Sequence, residues 1–145
     1  MDFADLSSAK KGGMVNVFIV EDSEAVRKNL QTMLSGIPGV ALVGHAVDEA
    51  GAIESIDALL PDVVILDLHL QSGTGFNVLA SIKKNHVATK VIVLSNYADS
   101  SYISICRQIG ADYFFDKSFQ FMLVETVLEQ LMSSDKPDRK FAALQ

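Results

Sequence analysis

The chain has 145 residues, 49% hydrophobic and 21% charged, which suits one domain with a sizeable core. Its 12 basic and 18 acidic residues leave a net charge of −6, which argues against a direct grip on nucleic acid by this chain. Cys106 is the single cysteine, so an intrachain disulfide is excluded and a reducing cytoplasm is the expected home.

The opening MDFADLSSAKKGG has two acids and no apolar run, so it is neither a signal peptide nor a membrane span, and residues 1–14 read as a flexible leader. VNVFIV (15–20) predicts the first strand; Ser23 then caps a helix whose apolar stripe is Val26, Leu30, Met33 and Leu34. Gly36, Pro38 and Gly39 break that helix before a second strand, VALVGHA (40–46). Asp48 caps a second helix with Ile53, Ile56 and Leu60 on its core face. DVVILD (62–67) and KVIVLS (90–95) are nearly continuous aliphatics, the pattern of strands covered on both faces in a parallel sheet. Between them Val78, Leu79 and Ile82 mark a third helix. Asp99 caps a fourth, with Tyr102, Ile105, Cys106 and Ile109 facing the core and Gly110 ending it. ADYFF (111–115) predicts the fifth strand, and Ser118 is expected to cap a fifth helix carrying Val124, Val127, Leu128 and Leu131. Five strand–helix repeats with right-handed crossovers give a doubly wound parallel α/β domain over 15–132. Residues 133–145 are polar, contain Pro137 and read as a tail or a truncated linker.

Open sheets of this kind bind ligands beyond the carboxyl ends of their strands. Those ends carry Glu21 and Asp22, Asp67, Ser95 and Lys117. Three close carboxylates raise one another's pKa unless a cation neutralises them, and Mg²⁺, which prefers hard oxygen ligands, is the expected one. Asp67 can then attack a phosphoryl donor, with Lys117 and Ser95 holding phosphoryl oxygens.

VFIVEDS, VVILDLHL, GTGF, VIVLSN and GADYFFDKS follow in this order, and from Val15 to Met132 the chain resembles the receiver domains of bacterial two-component response regulators. The resemblance implies a flavodoxin-like fold of five parallel strands with helices on both faces. It implies that Asp67 accepts a phosphoryl group from a histidine kinase or phosphotransfer protein and that the chain catalyses its own phosphorylation and dephosphorylation, without being an enzyme on other molecules. Glu21, Asp22, Asp67 and the backbone carbonyl of His69 would hold Mg²⁺. Phosphorylation would draw in the Ser95 hydroxyl and rotate an aromatic, by position Phe114, switching the face made by the fourth helix, fifth strand and fifth helix. That face would meet a downstream protein or a second copy of the chain. With nothing past Ser133 beginning a new core, a stand-alone receiver is expected, with a missing effector domain as the other arrangement.

The chain departs from the family at three positions. Ser118 replaces a proline usually preceded by a cis peptide, and a trans peptide is expected given the cost of about 3–4 kcal/mol for a non-proline cis bond. Gln71 also stands in for a frequent proline, which predicts a looser loop after the acceptor. Phe114 lacks the hydroxyl of the commoner tyrosine. His69 and Tyr97 flank the site and either tune hydrolysis or are plain loop residues; His45 and His86 show no metal-ligand spacing. Cys106, Met33, Met122 and Met132 read as filling for the core or helix faces. Among rival functions, a haloacid-dehalogenase-like phosphatase lacks its second aspartate, since His69 holds that place. A flavin carrier would need a phosphate cradle where the acidic EDSEAV stands. A receiver-like docking module that never turns over phosphate is the remaining alternative.

Overall fold

Each near-continuous aliphatic strand feeds two hydrophobic layers at once, because successive side chains point to opposite faces of the sheet. In a computed structural model that describes residues 14–133, the strands are β1 (Val15–Val20), β2 (Val40–Ala46), β3 (Val63–Leu66), β4 (Lys90–Ser95) and β5 (Tyr113–Asp116). They form one parallel sheet in the order β2-β1-β3-β4-β5. The helices are α1 (Glu24–Ser35), α2 (Glu49–Leu59), α3 (Gly75–Asn85), α4 (Ser100–Ile109) and α5 (Leu123–Ser133). The expected leader (1–14, save Met14) and tail (133–145, save Ser133) lie outside the described residues.

One layer joins Phe18, Val20, Val64, Leu66, Val91, Val93 and Phe114 to Ala52 and Ile56 of α2, Val78, Leu79 and Ile82 of α3, and Cys106 of α4. The other joins Val17, Ile19, Val63, Ile65, Ile92, Leu94, Tyr113 and Phe115 to Leu30 and Leu34 of α1 and Val124, Val127 and Leu128 of α5. Truncating a fully buried Leu or Ile in either layer to alanine costs about 2–5 kcal/mol. Burial in this setting pushes the Cys106 thiol up to about 12, so it stays protonated and inert.

Ser23, Asp48 and Asp99 cap α1, α2 and α4, their side chains accepting from the amides of Val26, Gly51 and Tyr102. Four expectations change. Leu60 is 60% exposed: it follows α2 in a left-handed conformation (φ 50°), the residue before Pro61 being unable to continue the helix comfortably. Ile105 is exposed on α4, because Cys106 takes the inward position beside it. Ser118 does not cap α5, which begins at Leu123; residues 117–122 form turns instead, and Met122 is exposed there. The strands expected from the DVVILD (62–67) and ADYFF (111–115) runs span 63–66 and 113–116. His45 is exposed, while His86 stands 2.6 Å from Asp57. No helix among the described residues is long and apolar enough to cross a membrane.

Candidate functional site

Glu21 and Asp22 leave the end of β1 just before Ser23 starts α1. Glu21 is buried, 3% exposed, and its backbone is pinned on both sides: its amide donates to Ala46 O at 3.0 Å and its carbonyl accepts from Arg27 Nη1 at 2.9 Å. Its Oε2 accepts from the Ser23 amide at 3.1 Å. Asp22 is exposed. Asp67 follows β3, 7% exposed, with its amide donating to Val20 O at 2.9 Å and its Oδ1 accepting from the His69 amide at 3.3 Å. Gly75 lies against this residue: a Cβ there would collide with the Asp67 carbonyl oxygen, so only glycine fits the first position of α3.

Lys117, just past β5, reaches across the edge. Its Nζ stands 2.9 Å from Glu21 Oε1 and 3.3 Å from Asp67 Oδ2, with the side chain 11% exposed. Its amide donates to Ser95 O at 2.9 Å, tying β5 to β4 beside the site. Ser95 is fully buried, and its Oγ accepts from the Tyr97 amide at 3.0 Å. One oxygen from each of Glu21, Asp22 and Asp67 lies within 4.8 Å of the others, the one such acidic group among the described residues.

Three carboxylates share one ammonium, and the imbalance shows in the proton affinities. Burial pushes Glu21 above the usual carboxylate range; the hydrogen bond from Lys117 opposes this and the charge of Asp67 adds to it. For Lys117, burial alone would lower the pKa, but the hydrogen bond to Glu21 and the charges of Asp67 and Glu21 together hold it above its ordinary value. The Lys117 shift has the sense of a site with surplus negative charge, while that of Glu21 is set first by burial.

All five strand-end residues expected from sequence therefore converge: Glu21, Asp22, Asp67 and Lys117 in one cluster, Ser95 one strand away. Phe114 is fully buried in the layer with Cys106 and Val93. The His69 and Tyr97 rings meet tilted by 34° with centroids 4.1 Å apart, and Tyr102 of α4 joins them at 5.9 Å and 5.8 Å, with Phe76 edge-on to Tyr102 at 5.7 Å. Tyr102 packs against the core as its place in the helical stripe predicts, and the fold in addition sets its ring beside His69 and Tyr97.

The two missing prolines are compensated by hydrogen bonds. The Lys117–Ser118 peptide is trans, and Asp116 Oδ1 accepts from the amides of Ser118 at 2.8 Å and Phe119 at 3.1 Å. The loop around Gln71 is not loose, contrary to expectation. Gln71 N donates to Val47 O at 3.2 Å, Glu49 N to Ser72 O at 3.0 Å, and Thr74 N to Glu49 Oε1 at 3.0 Å. Glu49, Thr74 and Asp116 carry no local sequence signal that separates them from ordinary helix-end acids and caps.

Sheet order and an acidic triad facing a lysine at the carboxyl edge define the class, a doubly wound α/β domain with a polar site at that edge. The family profile of the response regulator receiver domain matches residues 17–129, and the chain belongs to that family. It is 36% identical over 98 residues, 68% of this chain, to protein-glutamate methylesterase/protein-glutamine glutaminase 4 of Geobacter metallireducens, spanning 28% of that protein's length. It is 29% identical over 126 residues, 87% of this chain and 57% of the other, to the nitrate/nitrite response regulator NarP of Escherichia coli. The chain thus spans well under two thirds of the curated relatives it matches. Among solved structures it is similar to the signal receiver domain of NarL from Mycobacterium tuberculosis (TM-score 0.74, 30% identity, 86% of this chain and 99% of that one). It is also similar to the response regulator domain of Thermotoga maritima CheB (TM-score 0.72, 26% identity, 86% and 99%).

Proposed function

We propose that Asp67 accepts a phosphoryl group from the phosphohistidine of a histidine kinase or phosphotransfer protein. The observation that carries this reading is the Lys117 ammonium held 3.3 Å from a nearly buried Asp67 carboxylate within an acidic cluster. A carboxylate oxygen of Asp67 forms the new O–P bond as the donor's N–P bond breaks, and the leaving imidazole keeps the electron pair and takes up a proton. Lys117 then pairs with a phosphoryl oxygen. Ser95, whose Oγ accepts from Tyr97 N, keeps its hydroxyl proton to donate to another.

The donor set suits Mg²⁺: hard carboxylate oxygens from Glu21, Asp22 and Asp67; the His69 backbone carbonyl would add a fourth oxygen, as the family pattern implies. When bound, the ion neutralises charge on the phosphoryl oxygens. Drawing Ser95 towards the phosphoryl group pulls on Tyr97 and hence on the His69–Tyr97–Tyr102 stack, which leads to α4. The output face is α4, β5 and α5, where Phe114 changes position by packing alone and a downstream protein, an effector domain or a second copy docks. His69 and Tyr97 screen the acyl phosphate from water.

Intact-mass spectrometry after incubation with acetyl phosphate tests this on wild type and Asp67→Asn, each with Mg²⁺ or EDTA. One phosphoryl adduct that is base-labile and needs both Asp67 and Mg²⁺ is expected. An adduct that persists in Asp67→Asn would contradict the assignment.

A further inference from the structure

The loop between Asp67 and α3 is stapled to the start of α2 by one side chain, Glu49. Its Oε1 accepts from the Thr74 amide at 3.0 Å and from Asn77 Nδ2 at 3.1 Å, while the Glu49 amide donates to Ser72 O at 3.0 Å. The carboxylate and the backbone amide of one residue thus hold the loop at Ser72 and Thr74 and the start of α3 at Asn77. Gly73, at φ +80°, makes the approach feasible, because a Cβ there would overlap the Glu49 side chain. The two amide hydrogen bonds also hold the Glu49 carboxyl below the usual carboxylate range, so it stays ionised as an acceptor.

From Thr74 the connection runs straight to the chemistry. Thr74 bridges His69 in a short antiparallel pair, and the His69 amide donates to Asp67 Oδ1 at 3.3 Å. Where a proline would stiffen this loop covalently, the chain has Gln71 and needs another constraint. We infer that Glu49 is a positioning residue for the acceptor, fixing the 69–74 backbone so that the His69 amide and carbonyl present Asp67 and the cation site in register. This rests on the proposed phosphoacceptor reading for its consequence, although the staple itself has a readout free of that reading.

The test uses the full chain as wild type, Glu49→Ala and Glu49→Gln, the last keeping an acceptor oxygen without the charge. Three quantities are read: amide exchange of residues 69–75 in EDTA, Mg²⁺ affinity by calorimetry, and the rate and half-saturation of acetyl phosphate labelling. Glu49→Ala should expose the 69–75 amides, weaken Mg²⁺ by about tenfold, as removal of a residue supporting metal ligands does, and slow labelling. Glu49→Gln should restore all three to within about twofold, because its amide oxygen can accept from both Thr74 N and Asn77 Nδ2 and so keep the geometry. A merely structural role would lower the melting temperature of Glu49→Ala with Mg²⁺ affinity and labelling unchanged, and that result overturns the inference. So does equal impairment of both variants, which would make charge rather than geometry the cause. If wild type takes no phosphoryl group while Glu49→Ala still loses loop protection and Mg²⁺ affinity, the phosphoacceptor reading fails and the positioning role for the cation site stands.

Discussion

At the amino end of the sheet Lys83 meets Asp112 at 2.7 Å; at the carboxyl end Lys117 lies 2.9 Å from Glu21 and 3.3 Å from Asp67. The first pair is balanced. Asp112 Oδ2 also accepts from Val91 N at 2.9 Å, and Lys83 Nζ also donates to Thr89 O at 2.7 Å, so one cation and one anion are each satisfied by backbone at a strand start. The second is overloaded, with three carboxylates for one lysine and Asp22 turned to solvent. A buried pair that is satisfied locks a strand junction, whereas surplus buried charge is a standing cost that only a cation or a reaction justifies.

Breaking the balanced end should have the largest effect on stability. Asp112→Asn leaves the nearly buried Lys83 ammonium without its counter-charge, and urea unfolding should show a loss of about 3 kcal/mol, with labelling of Asp67 retained. At the overloaded end Asp67→Asn should abolish labelling yet stay within about 1 kcal/mol of wild type in EDTA, because relief of repulsion offsets the lost contact with Lys117. Ser118→Pro removes an amide that donates to Asp116 Oδ1, and a loss of about 1 kcal/mol on thermal or urea unfolding is expected.

The smallest effect is a pH dependence. Burial, opposed by Lys117 and assisted by Asp67, raises Glu21 above 4.5 in the folded state. The folded chain therefore binds this proton more tightly than the unfolded one, so Glu21 adds stability as pH falls from neutral through its raised value, levelling off below about 4.5. In EDTA the melting temperature of wild type relative to Glu21→Gln should rise as pH falls from 7 to about 4.5; a constant difference would show that Glu21 titrates normally.

The site was more legible in the sequence than its supports. Aliphatic runs ending in Glu21, Asp67 and Ser95 announce both the sheet and its polar carboxyl edge, since a parallel strand buried on both faces leaves polar residues only at its ends. Lys117 follows in the same way from β5. Periodicity identifies helix faces but not their limits, which is why Leu60, Ile105 and Met122 turned outward. Glu49 lies 25 residues from its partner Thr74, and nothing local marks an exposed first-turn acid as a staple. The proline absent at Gln71 pointed to slack, but backbone amides there donate to Val47 and to Glu49; the one absent at Ser118 pointed to a trans peptide, which is found, with Asp116 Oδ1 accepting from the next amides.

The most direct measurement is the thermal unfolding of wild type, Asp67→Asn and Asp112→Asn, each with and without Mg²⁺. Mg²⁺ should raise the melting temperature of wild type and Asp112→Asn by similar amounts and leave Asp67→Asn nearly unmoved. A full Mg²⁺ shift in Asp67→Asn, or its loss in Asp112→Asn, would contradict the division of the sheet into a structural end and a reactive one.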